Sequence, residues 1–153
     1  MGKAIQRQLS EYAPHILRHI GKLQGQEVII VGDVGLDEYV LGKVRRISPE
    51  APVPVVEVEK EEERLGLAAN VAQNITGLGG VPRLIAVVGA DATADRLRDL
   101  LRTAGAAPEH LVVDNSRPTT RKLRVMVGNH HIVRVDYEKR QLISADVENK
   151  ILA

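Results

Sequence analysis

The 153 residues include no cysteine, no phenylalanine and no tryptophan, and only three tyrosines, Tyr12, Tyr39 and Tyr137. Without thiols there is no disulfide, no thiolate zinc site and no cysteine nucleophile, which fits a reducing cytoplasm. Without aromatic faces there is almost nothing on which single-stranded nucleic acid could stack. An excess of either charge is also missing: 21 Lys and Arg balance 20 Asp and Glu, for a net charge of +1. Such a chain offers no basic field for DNA or RNA and no acidic tail. Its longest apolar runs, such as Val28–Val31 and Leu84–Val88, fall far short of the roughly 20 residues that span a bilayer. Met1–Leu9 is charged with no apolar centre, so it does not read as a signal peptide. These absences predict a cytoplasmic domain that binds neither nucleic acid nor membrane.

What is present suits one compact unit of about 150 residues, long enough to bury roughly 70% of its unfolded surface. Its core must be built of Val, Ile, Leu and Ala. An N-terminal arm over residues 1–25 places Ile5, Leu9, Tyr12, Ile16, Ile20 and Leu23 at helical spacing and stops at Gly25. The apolar run Val28–Val31 reads as a fully buried strand. Tyr39–Val44 and Val53–Glu59 read as a ribbon, about residues 39–60, around Ser48-Pro49-Glu50-Ala51-Pro52. Pro52 and Pro54 cannot donate to a ladder, which predicts an edge or a flap, not a central strand. A charged stretch, Glu57–Arg64, leads to an Ala-rich helix over Ala68–Leu78.

Strand and helix then alternate: a strand at Pro82–Val88, a helix at Thr93–Ala104 and a short strand at Leu111–Asp114. Thr119–Val127 and Ile132–Val135 read as a hairpin across Gly128–His131. Ser144 caps a last helix that is still running at Ala153, which reads as a truncation. The alternation predicts an α/β fold with a mostly parallel sheet and a small β appendage.

Three segments could carry chemistry. Asp33 and Asp37, in Gly32-Asp33-Val34-Gly35-Leu36-Asp37, follow a buried strand, where open parallel sheets bind ligands. Carboxylates there would accept sugar hydroxyls, or Asp33 would cap its own turn. Gly66, ahead of a helix, allows close backbone approach, and Asn70 in the first turn can both donate and accept; the alternative is an ordinary helix start. Lys122 and Arg124 fall on one face of a strand, as a phosphate clamp or as solvated charge. His15 and His19, at i,i+4, lack a third ligand, and no metal site is expected.

Together these pieces resemble the heptose 7-phosphate kinases of the ribokinase-like (PfkB) carbohydrate kinase family. The resemblance rests on Gly32–Tyr39, Gly42 and, above all, Arg46-Ile47-Ser48-Pro49-Glu50-Ala51-Pro52-Val53-Pro54. Glu62-Glu63-Arg64, Gly66–Ala72, Arg117–Thr120 and Arg134-Val135-Asp136 follow in the family's order. It covers about Val28 to Ala153. It implies a mostly parallel sheet with helices on both faces and a small β lid, which is where the proline-rich ribbon belongs and through which a homodimer would form.

The resemblance also implies roles. Asp37 would hold sugar hydroxyls, and Asn70 with the Gly66 backbone would hold the sugar from the helix start. Asp33 and Arg46 would lie close, and Lys122, Arg124 and Arg134 would face a phosphate. The implied reaction moves the γ-phosphoryl of ATP, with Mg2+, to the anomeric hydroxyl of a heptose 7-phosphate in the bacterial cytoplasm, toward the nucleotide-activated heptose of lipopolysaccharide. No catalytic residue is assigned, because the family's Gly-Ala-Gly-Asp segment has no counterpart here. The expectation is the sugar-binding N-terminal portion of a kinase, inactive alone and prone to self-association. The alternatives are a non-catalytic sugar-phosphate-binding or dimerisation module, or a kinase for another sugar. Leu65-Gly66-Leu67 stands where the family usually has Pro-Gly-Gly, which places a bulky side chain beside the sugar.

Overall fold

The computed structural model describes Pro14 and residues 18–153. The apolar spacing over Ile5, Leu9, Tyr12 and Ile16 lies outside the described residues, as does His15. Residues 18–21 are helical. The chain leaves them at Gly25, whose φ of 70° suits a residue without Cβ. The elements then run β1 (Glu27–Val31), β2 (Val34–Ile47), β3 (Pro54–Leu67), α1 (Ala68–Gly77), β4 (Val81–Val88), α2 (Ala92–Thr103), β5 (Leu111–Val113), β6 (Thr120–Val127), β7 (His130–Tyr137) and α3 (Ala145–Leu152).

The strands form two sheets. One is parallel, in the order β1-β4-β5, and the other is mixed, in the order β3-β2-β6-β7. In β4 the residues alternate, so Leu84, Ala86 and Val88 meet α1 and α2 on one face while Ile85 and Val87 face the other way. Helix α2 presents Ala94, Leu97 and Leu101 to the same core. Ile30 of β1 packs there too, which turns Ile29 and Val31 outward at 70% and 69% exposure. Helix α3 packs against β5, and its Ile151 joins Ile85 and Val87 on the far side of the sheet. The parallel sheet thus carries α1 and α2 on one face and α3 on the other.

The appendage is larger than the expected ribbon. Its two strands run from Val34 to Ile47 and from Pro54 to Leu67, so the charged stretch Glu57–Arg64 is part of β3 rather than a link. Pro54 does open an edge strand. β2, however, is an interior strand, pairing antiparallel with β3 and parallel with β6. The expected hairpin, β6 and β7, is thereby the other half of the same sheet. Its turn is shorter than expected: Gly128, at φ 58°, and Asn129 make it, and both His130 and His131 belong to β7. Gly42 sits at a register shift in the β2–β3 ladder, where an added Cβ would run into the Glu57 carbonyl oxygen.

One polar network joins the two sheets. The Asp91 carboxylate caps α2 by accepting from the Ala94 amide at 2.9 Å, and its other oxygen accepts from the Thr119 amide at 2.8 Å. The Thr119 hydroxyl in turn accepts from the Gly89 amide at 2.9 Å. Burial alone would raise the Asp91 carboxyl, but the Thr119 and Ala94 amides outweigh it and hold it below its usual value. Beside it, Asp114 is held down by the Ser116 hydroxyl and amide and by Arg117, whose Nε lies 2.8 Å away. Arg117 also donates to the Gln141 and Leu142 carbonyls at 3.2 Å, tying the segment before α3 to this loop.

Candidate functional site

The β2–β6 and β6–β7 registers place a charged lattice on one face of the mixed sheet. Asp37 lies opposite Arg64 on one side and Lys122 on the other, and Lys122 lies opposite Asp136. One step along, Tyr39 lies between Glu62 and Arg124, and Arg124 is opposite Arg134. Side-chain geometry follows this lattice. Arg124 Nη1 is 2.7 Å from Asp37 Oδ1, with both groups largely buried. The Arg64 and Arg124 guanidinium carbons stand 4.6 and 5.2 Å from the Tyr39 ring centroid, a double cation–π contact. The opposite face carries Val40, Leu123, Val125, Val133 and Val135, with Arg121 over the Tyr137 ring at 3.9 Å.

Lys122 differs from its neighbours. Its ammonium lies 3.9 Å from Asp136 and 3.8 Å from Glu138, too far for a hydrogen bond to either. Arg134, by contrast, is fully engaged by Asp136, with Nε and Nη2 donating at 2.9 and 3.1 Å. Lys122 is thus the cation of the set most ready to take an external anion.

Two cavities divide the remaining candidates. The larger, about 790 Å³, opens at the carboxyl ends of β1 and β4 and is lined by Gly32, Asp33, Leu67, Thr120, Lys122 and Glu138. The smaller, about 540 Å³, is lined by Asp37, Tyr39, Arg64, Asn70 and Gln73. Asp33 and Asp37 therefore do not share one crevice: Val34 and Leu36 go into the core between them, and the strand carries Asp37 onward. Gly66 stands between the cavities, and a Cβ there would meet the Asp37 carboxylate carbon at 3.0 Å and the Gly35 carbonyl oxygen at 3.0 Å. Asn70 occupies the first turn of α1, as its position predicts.

Arg46 is not brought to the site within one chain. It is exposed near the far end of β2, nine residues beyond Asp37, or about 30 Å along a strand. Sequence reasoning missed Arg64, Tyr39 and Asp91 as parts of the assembly. An aspartate just ahead of an amphipathic helix was a readable capping signal for Asp91. Nothing in composition announced the Arg64–Tyr39–Arg124 stack, which depends on pairing between distant strands.

Residues 26–151 match the model of the pfkB family of carbohydrate kinases. The chain belongs to that family. Its relatives include a D-beta-D-heptose 7-phosphate kinase of Bordetella bronchiseptica, 50% identical over 112 residues, which cover 73% of this chain and 36% of that one. The Bifunctional protein HldE of a Bradyrhizobium strain is 46% identical over 131 residues, 84% of this chain and 26% of the relative. This carbohydrate kinase chain thus spans about a quarter to a third of the length of these curated relatives. Among solved structures, a ribokinase-type protein from Agrobacterium tumefaciens aligns with a TM-score of 0.63 at 19% identity, over 80% of this chain and 41% of that one. A Cryptococcus neoformans ribokinase in complex with ADP aligns at 0.51 and 18% identity, over 75% of this chain and 34% of that one. Among the described residues no helix is long and apolar enough to cross a membrane.

Proposed function

We propose that this chain forms the sugar-phosphate-binding portion of an ATP-dependent heptose 7-phosphate kinase acting in the bacterial cytoplasm. The observation that carries the reading is the 50% identity to a heptose 7-phosphate kinase over 112 residues, 73% of this chain. Asp37, with one oxygen held by Arg124, keeps the other free to accept a sugar hydroxyl, and Asn70 and the Gly66 backbone face the same ligand, which reaches from the smaller cavity past Gly66 and Leu67 to Lys122 in the larger one. Lys122, short of a hydrogen-bond partner, takes the phosphate, and Arg124 fixes the Asp37 carboxylate rather than clamping that phosphate itself. Asp33 borders the same larger cavity.

The reaction of such a kinase transfers the γ-phosphoryl of ATP to the anomeric hydroxyl, with Mg2+ neutralising charge on the phosphates. Among the described residues no group of three or more His, Asp or Glu side chains could hold a metal. The reading assigns ATP and Mg2+ to the part of the longer relatives that this chain does not span, since the Gly-Ala-Gly-Asp segment implied by the resemblance has no counterpart in these 153 residues. The 153 residues alone are then expected to transfer no phosphate from ATP. Turnover by a pure sample would overturn that assignment.

Two apolar surfaces support association between copies. Val133 and Val135 of β7 are partly exposed on the face of the mixed sheet opposite Asp37 and Lys122, and Ile29 and Val31 are exposed on β1. Pairing through the mixed sheet would give the lid-mediated homodimer, and light scattering of the wild type against Val133→Glu tests it. For the ligand, isothermal titration with heptose 7-phosphate is expected to show micromolar binding. Asp37→Asn and Lys122→Ala are each expected to weaken it about tenfold or more, the scale of losing one charge-assisted hydrogen bond. No heat at millimolar ligand would sink the reading, and tighter binding of a different sugar phosphate would redirect it to another sugar.

A further inference from the structure

Leu67 is the only described residue other than glycine with a positive φ, and it lies at φ 55° and ψ −132°. An L side chain rarely rests there, because its Cβ crowds the backbone, and such a conformation survives only where the surroundings hold it. Three contacts do so. Leu67 ends the β2–β3 ladder opposite Val34. The following amide, of Ala68, donates to the Asp33 carbonyl at 3.0 Å. The preceding residue, Gly66, is wedged against Gly35 and Asp37.

Neither capping nor core packing accounts for a leucine here. As the residue ahead of α1 it makes no side-chain hydrogen bond to the helix, where Ser, Thr, Asp, Asn or Gly would serve better. Its side chain is 42% exposed and turned away from the buried cluster formed by Leu65 and Ala69. It instead lines the 790 Å³ cavity, alongside Asp33, Thr120 and Lys122.

We propose that Leu67 is a specificity-determining residue of this cavity, its isobutyl group packing against the carbon chain of the phosphorylated sugar and setting how long a chain fits. The inference rests on the sugar-phosphate reading above. With an anion taken at Lys122 and hydroxyls at the carboxylates, the ligand's carbon skeleton passes Leu67, an apolar side chain set among polar lining residues. Losing or gaining one methylene in an apolar pocket discriminates ligands by about 10–200-fold. A half-exposed side chain supplies the low end of that range.

The test measures dissociation constants of sedoheptulose 7-phosphate and mannose 6-phosphate for the wild type, Leu67→Ala and Leu67→Gly. The ratio of the two constants is expected to move about fivefold or more, in the same direction in both variants. Glycine adopts this backbone freely, so Leu67→Gly keeps the fold even if the alanine variant loses it. A ratio that moves less than about fivefold in the folded variants overturns the proposal, since a purely structural role would weaken both ligands alike. If the wild type binds neither sugar phosphate, the functional reading falls first and this inference with it. If the wild type binds and the ratio stays put, only this inference falls.

Discussion

The two sheets of this molecule are stabilised by different means. Around β1-β4-β5 the core is apolar and closed: Leu84, Val88, Leu97 and Leu101 have no exposed surface. The mixed sheet contributes Val34, Leu36 and Leu65 to the buried set, all near its base, while β6 and β7 contribute none. Beyond that base it is held by backbone ladders, by Arg124–Asp37 and by weaker surface pairs such as Lys43–Glu59 at 2.5 Å. Surface pairs of that kind stabilise by about 0–1 kcal/mol each. The first region is held by apolar packing and the second mainly by backbone ladders and charge pairs, so the second is expected to open locally at the lower free energy.

The sharpest way to break this comparison is to delete equivalent volume from each sheet. Leu97→Ala empties a fully buried site and is expected to cost about 2–5 kcal/mol, a fall of several degrees or more in Tm. Val133→Ala, at a site 48% exposed, is expected to cost under about 1 kcal/mol. Equal shifts in thermal melts of the two variants would show one continuous core and end the distinction.

How far this division was legible from residues alone differs between the two regions as well. The closed region announced itself because helical and strand periodicities are local. Leu97, Leu100, Leu101 and Ala104 mark one face of α2 without reference to any partner, and Ser144 caps α3 as its position suggests, accepting from the Val147 amide at 3.4 Å. The mixed sheet was only half readable. Prolines marked β3 as an edge, but nothing in Asp37 or Lys122 says that strands 85 residues apart lie side by side, as they do here. Parallel pairing at that separation is decided by what packs at the base, Val34 and Leu36, and not by the charged residues it aligns. For the same reason the two candidate aspartates, four residues apart in sequence, part company in space.

The Asp91 network tests the junction between the regions and has the next largest expected effect. Asp91→Ala removes the α2 cap and strands the buried Thr119 amide, for about 2–3 kcal/mol together. The same junction sets the acid limit. Asp91 and Asp114 both have folded pKa values below their ordinary ones. Their contribution is therefore complete above the unfolded carboxylate value, near about 3.9, and is lost as pH falls through the lower folded values. Urea midpoints followed downward from pH 6 should stay level and then drop below about pH 4. In Asp91→Asn and Asp114→Asn the drop should be shallower, and an unchanged drop would place the acid sensitivity elsewhere.

One further expected effect has the opposite sign. Holding a leucine at φ 55° and ψ −132° costs on the order of 1–3 kcal/mol of backbone strain. Glycine at the same place removes that strain but gives the unfolded chain more freedom, a loss of about 0.5–1 kcal/mol. The half-exposed isobutyl group forfeits little burial when removed, so Leu67→Gly should gain on the order of 1 kcal/mol and melt a few degrees higher. A variant that melts lower would mean that the side chain contributes more to holding the β3–α1 corner than its exposure implies. A variant that melts higher and also loses its preference between sugar phosphates would show the strain at the β3–α1 corner to be retained for the ligand's sake.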